Sequence, residues 1–203
     1  MPSPPKGLVL GSTSRYRREL LTRLHLPFRV AAPAVDEAPR AGEEPARLAE
    51  RLAALKADAV ARAHPQDWVI GADQVAECGG VLLGKPGSAE QARAQLAACS
   101  GRVVTFHTAV RLTCHNPAGS ATVDAHVDRT RVVFRPLAAA EIARYVELDA
   151  PLDCAGSFRS EGLGVVLFER IESEDPSALV GLPLIWLAGA LRRAGFDPLS
   201  GAV

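Results

Sequence analysis

The chain contains 203 residues, of which 48% are hydrophobic and 23% are charged, a composition that suits one soluble globular domain. Its 23 lysines and arginines balance 23 aspartates and glutamates, which argues against general binding to nucleic acids or anionic membranes. Four cysteines without CxxC or metal-ligand spacing, and the lack of a long apolar run, predict a reduced cytoplasmic protein without a signal peptide.

The first predicted element is a buried strand at residues 8–10, followed by a turn and a helix over residues 15–24. Ser12 and Ser14 lie where this helix begins, and Arg17 lies in its first turn. Serine caps helix N-termini well, whereas free N–H groups, hydroxyls and an arginine together favour a bound phosphate. The two interpretations are compatible, and both remain open here.

A short strand over residues 28–32 leads into a loop that holds Asp36 and Glu37 between prolines. Such acids are usually solvated, but a carboxylate fixed in this way can also hold a divalent cation near phosphates. A strong helix follows over residues 44–63, and Lys56 lies at the border of its apolar stripe. Lys56 is therefore either a flanking lysine that reaches solvent or a cation directed into a cleft.

The apolar run at residues 69–75 predicts a buried strand, with Asp73 and Gln74 near its tip at an edge or cleft. Ten residues later, Lys85 stands between Gly84 and Pro86, and the proline restricts the backbone beside it. Taken alone, these side chains suit a turn and a solvated loop. A carboxylate on a rigid strand beside a fixed cation also suits catalysis on a phosphate.

The rest of the chain predicts a mixed α/β protein with three layers around a curved mixed sheet. Residues 2–5 are expected to be frayed. The remaining predicted elements are helices over residues 88–99, 138–148 and 184–194, an antiparallel hairpin of strands 102–113 and 122–135, a flexible polar stretch over 154–164 and a strand over 165–171.

Eight short motifs occur in the order seen in Maf proteins, which are nucleoside triphosphate pyrophosphatases. They are Ser12-x-Ser14-x-x-Arg17, Asp36-Glu37, Lys56, Gly71-Ala72-Asp73-Gln74, Gly84-Lys85-Pro86, Ser100-Gly101, Ala155-Gly156-Ser157-Phe158 and Gly181-Leu182-Pro183-Leu184. The resemblance runs from about Leu8 to Gly195. It implies a single Maf-like domain over residues 1–203, with an inosine-triphosphatase-like α/β fold. In that fold a curved mixed sheet carries helices on both sides, two lobes enclose the active-site cleft, and homodimers are frequent.

The chain is most similar to the 7-methyl-GTP pyrophosphatase subfamily. Gln74 follows the aspartate where the dTTP/UTP-cleaving branch has threonine, and Glu161 stands where that branch has glutamine. Tyr16 precedes Arg17 where that branch has arginine; the subfamily usually has tryptophan there, so tyrosine keeps only the aromatic character. These three residues would set base specificity, Tyr16 as an aromatic face for a cationic base and Gln74 as both donor and acceptor.

The resemblance also implies a role for each remaining site residue. Asp73 would be the proton acceptor that activates water, and Glu37 with Asp73 would hold a divalent metal, Mg²⁺ or Mn²⁺. The residues that would grip the triphosphate are Ser12, Ser14, Arg17, Lys56 and Lys85. The predicted reaction converts 7-methyl-GTP to 7-methyl-GMP and pyrophosphate. The alternatives are the same reaction on dTTP or UTP, and a nucleotide-binding regulator of septum formation without turnover.

Overall fold

The computed structural model describes residues 7–115 and 121–200 and shows one seven-stranded sheet with five α-helices. The predicted frayed segment 2–5 and the hairpin loop 116–120 lie outside these residues. The strands are β1 (Leu8–Gly11), β2 (Arg29–Val30), β3 (Trp68–Cys78), β4 (Val81–Leu83), β5 (Val103–His115), β6 (Ala121–Phe134) and β7 (Phe168–Glu172). The helices are α1 (Arg15–Thr22), α2 (Pro45–Ala63), α3 (Ala89–Cys99), α4 (Ala139–Asp149) and α5 (Leu184–Arg193).

The sheet is mixed, as predicted. Its order is β2-β1-β3-β5-β6-β7, and β4 pairs with β3. β2, β1 and β3 run parallel, whereas β5, β6 and β7 continue the sheet antiparallel to their neighbours. The α/β fold class predicted from the sequence is therefore confirmed.

The alternation of side chains along the central strands places helices on both faces of this sheet, which confirms a second prediction. Val9 and Val69 face α2, whereas Leu10 and Ile70 pack in the cluster that includes residues of α1 and α5. α3 and α4 contribute to a separate cluster with even-numbered residues of β3, so they share the face of α1 and α5. The division into two lobes remains a prediction.

Several predicted boundaries were wrong, and the strand predicted over residues 28–32 covers only Arg29–Val30. The strand predicted over residues 69–75 extends to Cys78 and turns through Gly79 and Gly80, both at positive φ, into the unpredicted strand β4. The strand predicted over residues 165–171 is shorter, because residues 163–167 form a 3₁₀ helix. The first helix ends at Thr22 instead of residue 24.

The edge of β3 is interrupted in the middle, and this feature positions the site. β1 ends at Gly11, opposite Gly71, and β4 begins to pair only at Ala76. Within the described chain, residues 72–75 therefore have no strand partner on this edge. Because successive side chains point to opposite faces, a cleft at this gap can reach Asp73 on one face and Gln74 on the other.

Gly71 brings α2 unusually close to β3. A Cβ atom at Gly71 would lie 2.4 Å from the carbonyl oxygen of Ala53 and 2.5 Å from the amide nitrogen of Ala57. Ala53 lies three residues before Lys56 in α2, and Ala57 directly follows it. The close contact at Gly71 therefore sets how near Lys56 comes to β3.

We expect Gly71→Ala to lower the free energy of unfolding by roughly 1–3 kcal/mol or more, because the added methyl group must push α2 off the sheet. The matched control is Gly189→Ala in α5, where the new Cβ would find only an ordinary contact at 3.6 Å. That change should stabilise the protein by about 0.5–1 kcal/mol, the usual gain of alanine over glycine in a helix. Urea unfolding monitored by circular dichroism measures both, and equal stability of Gly71→Ala and the native protein would contradict the packing described.

Candidate active site

A cleft of about 710 Å³ opens at the gap in the β3 edge and receives all ten site residues predicted from the sequence. They are Ser12, Ser14, Tyr16, Arg17, Glu37, Lys56, Asp73, Gln74, Lys85 and Glu161. Residues far apart in the chain thus share one concave surface, as a small-molecule site requires. The individual roles of these residues remain predictions.

Lys56 joins the two carboxylates that were predicted to act together. Its Nζ donates to Asp73 Oδ1 at 2.7 Å and to Glu37 Oε2 at 2.8 Å. Lys56 and Asp73 are only 5% and 6% exposed, whereas Glu37 lies exposed on its loop. Lys56 is thus a buried cation in the cleft, and the alternative of a solvent-reaching lysine at the edge of the helix stripe is wrong.

The predicted position of Asp73 at a strand tip was also wrong, because β3 continues for five more residues to Cys78. Asp73 is accessible for a different reason: the neighbouring strand β1 ends two residues before it in register. Its burial in the wall of the cleft raises the pKa of the carboxyl group, and the nearby charges of Lys56 and Arg17 partly oppose this shift. A raised carboxylate pKa suits a proton acceptor.

The start of α1 forms the cationic end of the cleft. Ser14 caps the helix by accepting from the Arg17 backbone N–H at 3.4 Å, which confirms the capping interpretation. Ser12 is buried, and its Oγ accepts from the Ser14 N–H at 3.2 Å and from an Arg17 guanidinium N–H at 3.4 Å. Burial lowers the pKa of Arg17, while Asp73 and Glu37 oppose the shift. Its Nε donates to the Gly181 carbonyl at 3.0 Å, which aims the guanidinium into the cleft.

Lys85 also lines the cleft and is exposed on the loop after β4. Glu161 is also exposed, and it accepts a hydrogen bond from the Ser160 hydroxyl at 3.1 Å. Both side chains are exposed where they line the cleft, so a ligand in the cleft can contact them.

The side-chain amide of Gln74 is held by hydrogen bonds to groups that the sequence did not indicate. Its Nε2 donates to the carbonyl oxygens of Ala178 and Leu179 at 3.0 and 3.1 Å, and to Thr108 Oγ1 at 3.0 Å. Thr108 is fully buried and in turn donates to the Ala178 carbonyl at 2.9 Å. Only the register of β3 against β5, which pairs Gln74 with Thr108, reveals this contact.

Tyr16 has a neighbour that the sequence analysis also missed. The guanidinium of Arg15 lies 4.7 Å from the centre of the Tyr16 ring and donates to its hydroxyl at 2.6 Å. Arg15 forms an exposed ion pair with Asp153 at 3.3 Å, which closes this rim of the cleft. One face of the ring is therefore covered by a cation, and a base can stack only on the other face.

The carboxylates fit a metal that is shared with a ligand. The described residues contain no group of three or more side chains of the types His, Cys, Asp and Glu that could hold an ion alone. Glu37 and Asp73 each accept from Lys56 through one carboxylate oxygen. The second oxygen of each has no hydrogen bond from the described residues. Mg²⁺ is commonly bound by one or two carboxylates together with substrate phosphates, which matches this donor set.

The chain is similar in sequence to known proteins over nearly its whole length. A family model described as Maf-like protein matches residues 7–194. A 7-methyl-GTP pyrophosphatase of Xanthomonas oryzae pv. oryzae (strain MAFF 311018) is 57% identical, over 93% of this chain and 97% of its own. Proteins of the same name from Xanthomonas campestris pv. campestris (strain 8004) and Cupriavidus metallidurans are 57% and 51% identical; these alignments cover 94% and 97% of this chain, and 97% and 96% of the relatives. The solved structure of the Staphylococcus aureus Ham1 protein aligns over 94% of this chain and 100% of its own, at 16% identity with a TM-score of 0.47.

We predict that Asp73 makes the native protein less stable as pH rises. Because its pKa is raised in the folded state, the native protein keeps a proton that the unfolded chain releases above about pH 4, so ionisation costs stability from there upward. The free energy of unfolding of the native protein should therefore fall relative to that of Asp73→Asn as pH rises through the raised pKa. In Lys56→Met the decline should extend to higher pH, because Lys56 lowers this pKa. Urea titrations between pH 4 and 7 measure the difference, and parallel curves for native protein and Asp73→Asn would refute the raised pKa.

Proposed function

The chain belongs to the Maf family, and we propose that it is a nucleoside triphosphate pyrophosphatase that hydrolyses 7-methyl-GTP to 7-methyl-GMP and pyrophosphate. The observation that carries the proposal is the buried carboxylate Asp73, bound to Lys56 in a cleft whose cations come from three separate elements. The proposed substrate is taken from the names of the relatives above, which align over nearly the whole chain.

The cationic end of the cleft suits a triphosphate. Arg17, Lys56 and Lys85 supply three positive charges from α1, α2 and the loop after β4. Ser12 and Ser14 add hydroxyl groups at the N-terminus of α1, where free N–H groups favour an anion. Phosphoryl transfer needs little more from a protein than positioning and electrostatic stabilisation of spread negative charge.

Asp73 serves in this proposal as the proton acceptor. Its carboxylate takes a proton from the attacking water, while the oxygen of the water bonds to the α-phosphorus and the α–β anhydride bond breaks. Lys56 holds Asp73 Oδ1 at 2.7 Å and so fixes the carboxylate in place. Pyrophosphate leaves, and the monophosphate keeps the nucleoside.

Glu37 and Asp73 would hold the divalent metal, Mg²⁺ or Mn²⁺, in this proposal. When bound, the metal neutralises developing charge on the phosphate oxygens. The loop that carries Glu37 is tied to α2 by the Glu37–Lys56 contact, so the second carboxylate stays near the first.

The base end of the cleft suits a cationic purine. Methylation at N7 makes guanine positively charged, and a cation is attracted to an aromatic face and to a carboxylate. Tyr16 supplies the free face of its ring, Glu161 supplies the charge, and Gln74 lies beside Asp73 to bind the base edge.

The alternatives are less well supported. An arginine in place of Tyr16 would repel a cationic base, and its absence argues against the dTTP/UTP-cleaving branch. A regulator of septum formation without turnover would not need the Asp73–Lys56–Glu37 arrangement. The homodimer and the cytoplasmic location remain predictions; among the described residues no helix is long and apolar enough to cross a bilayer.

We expect Asp73→Asn to lower kcat for 7-methyl-GTP by about 10²–10⁴-fold, because the amide cannot accept the proton. Its fold should be retained, since the amide oxygen can still accept from Lys56. The control is Asp124→Asn, which removes a partly exposed carboxylate paired with Arg193 and should leave activity unchanged. Steady-state pyrophosphate release measures both variants, and near-native turnover of folded Asp73→Asn would show that Asp73 is not the proton acceptor.

The native protein should cleave 7-methyl-GTP at least about tenfold more efficiently than GTP, dTTP or UTP, because only the methylated base carries a positive charge. The double variant Tyr16→Arg with Glu161→Gln should shift the preference toward the pyrimidine triphosphates. The measurement is kcat/KM on these four nucleotides for both proteins. A native preference for dTTP or UTP would overturn the proposed substrate while leaving the pyrophosphatase activity in place.

A further inference from the structure

We propose that Gln74 recognises the base only as a hydrogen-bond acceptor, and that Thr108 is the positioning residue that keeps it so. The inference rests on the proposed function and assigns one atom of the protein, Gln74 Oε1, to one group of the base, the exocyclic 2-amino group of guanine.

The orientation of the Gln74 amide follows from its neighbours. The carbonyl oxygens of Ala178 and Leu179 can only accept hydrogen bonds, so the side that faces them at 3.0 and 3.1 Å must be the NH₂ group. A flipped amide would place its oxygen against two carbonyl oxygens. Gln74 Oε1 therefore points away from residues 178–179 and toward the cleft, where it has no hydrogen bond from the described residues.

The NH₂ group has no hydrogen atom left for a ligand. It carries two hydrogens, and three acceptors lie within 3.1 Å of its nitrogen. The Thr108 hydroxyl gives its own hydrogen to the Ala178 carbonyl at 2.9 Å, so toward Gln74 it acts as an acceptor. The sequence analysis assigned both donor and acceptor capacity to Gln74, but the structure leaves only the acceptor for the base.

An acceptor at this place selects for a base with a donor. Guanine offers N1–H and the 2-amino group, whereas uracil and thymine offer N3–H but have no exocyclic amine. The positive charge of N7-methylated guanine makes N1–H more acidic, but the amine remains a donor on either side of that ionisation. The 2-amino group therefore remains a hydrogen-bond donor in both ionisation states of 7-methylguanine, and it can donate to Gln74 Oε1.

Thr108 acts through Gln74 and does not face the substrate. It is fully buried, it lies opposite Gln74 in the β3–β5 register, and its hydroxyl links the amide to the chain at Ala178. Removal of the hydroxyl without a change of shape takes away one of the three acceptors of the amide and the donor that fixes the Ala178 carbonyl. The amide should then be held less firmly, and the directed acceptor would be lost in part.

The test compares 7-methyl-GTP with 7-methyl-ITP, which lacks only the 2-amino group. In the native protein the loss of this group should raise KM by about three- to tenfold with little change in kcat, the usual effect of one neutral hydrogen bond. In Gln74→Leu the two nucleotides should be equivalent. In Thr108→Val the difference should shrink to about twofold or less, and in Thr108→Ser, which keeps the hydroxyl, it should return.

The result for each variant tests a different part of the proposal. Full discrimination in Gln74→Leu would show that Gln74 does not bind the amine, and full discrimination in folded Thr108→Val would show that Thr108 does not position it. If Thr108→Val fails to fold, discrimination in Thr108→Ser below half the native value would equally overturn the role of the hydroxyl. Failure of the native protein to cleave 7-methyl-GTP would instead overturn the proposed function, before any variant is compared.

Discussion

The structure depends on one buried cation. Lys56 is almost fully removed from solvent and satisfies its charge with Asp73 on the sheet and Glu37 on a loop. A buried charge is costly unless it is paired, so the helix, the strand and the loop must come together for any of them to be stable. The close packing of α2 on Gly71 places Lys56 at the required distance. The same contacts that make the fold stable therefore also hold the two carboxylates in the cleft.

At the gap in the β3 edge, the proposed proton acceptor and the proposed base-binding residue lie on opposite faces of the sheet. Asp73 projects toward α2 and the cations, whereas Gln74 projects to the opposite face, toward Thr108 and the backbone of residues 178–179. Because β1 stops before these residues and β4 starts after them, one cleft reaches both faces. Two adjacent residues can thus serve the phosphate end and the base end of a nucleotide without interfering with each other.

Much of this arrangement could be predicted from the sequence, and the failures have physical causes. Apolar patterns and helix-start signals predicted the five α-helices of the described residues and the central strands, and the ordered motifs identified ten site residues that the fold places in one cleft. β4 is three residues long with two exposed, so it has no pattern to detect. Val165 and Val166 favour a strand, but their segment forms a 3₁₀ turn where Gly164 packs on the backbone of Arg159 and Arg135 binds the Val166 carbonyl. Thr108 and Arg15 could not be found because their roles depend on strand register and on the position of a neighbouring ring.

In the proposed function, this cleft breaks the α–β anhydride bond of 7-methyl-GTP with the help of a divalent metal. This proposal is tested most directly by following the reaction of the native protein with 7-methyl-GTP and Mg²⁺ or Mn²⁺ by ³¹P NMR. We expect 7-methyl-GMP and pyrophosphate to appear together in equal amounts, and both should stop forming when a chelator is added in excess. Orthophosphate with 7-methyl-GDP as the first products, or an unchanged rate in the chelator, would contradict the proposal.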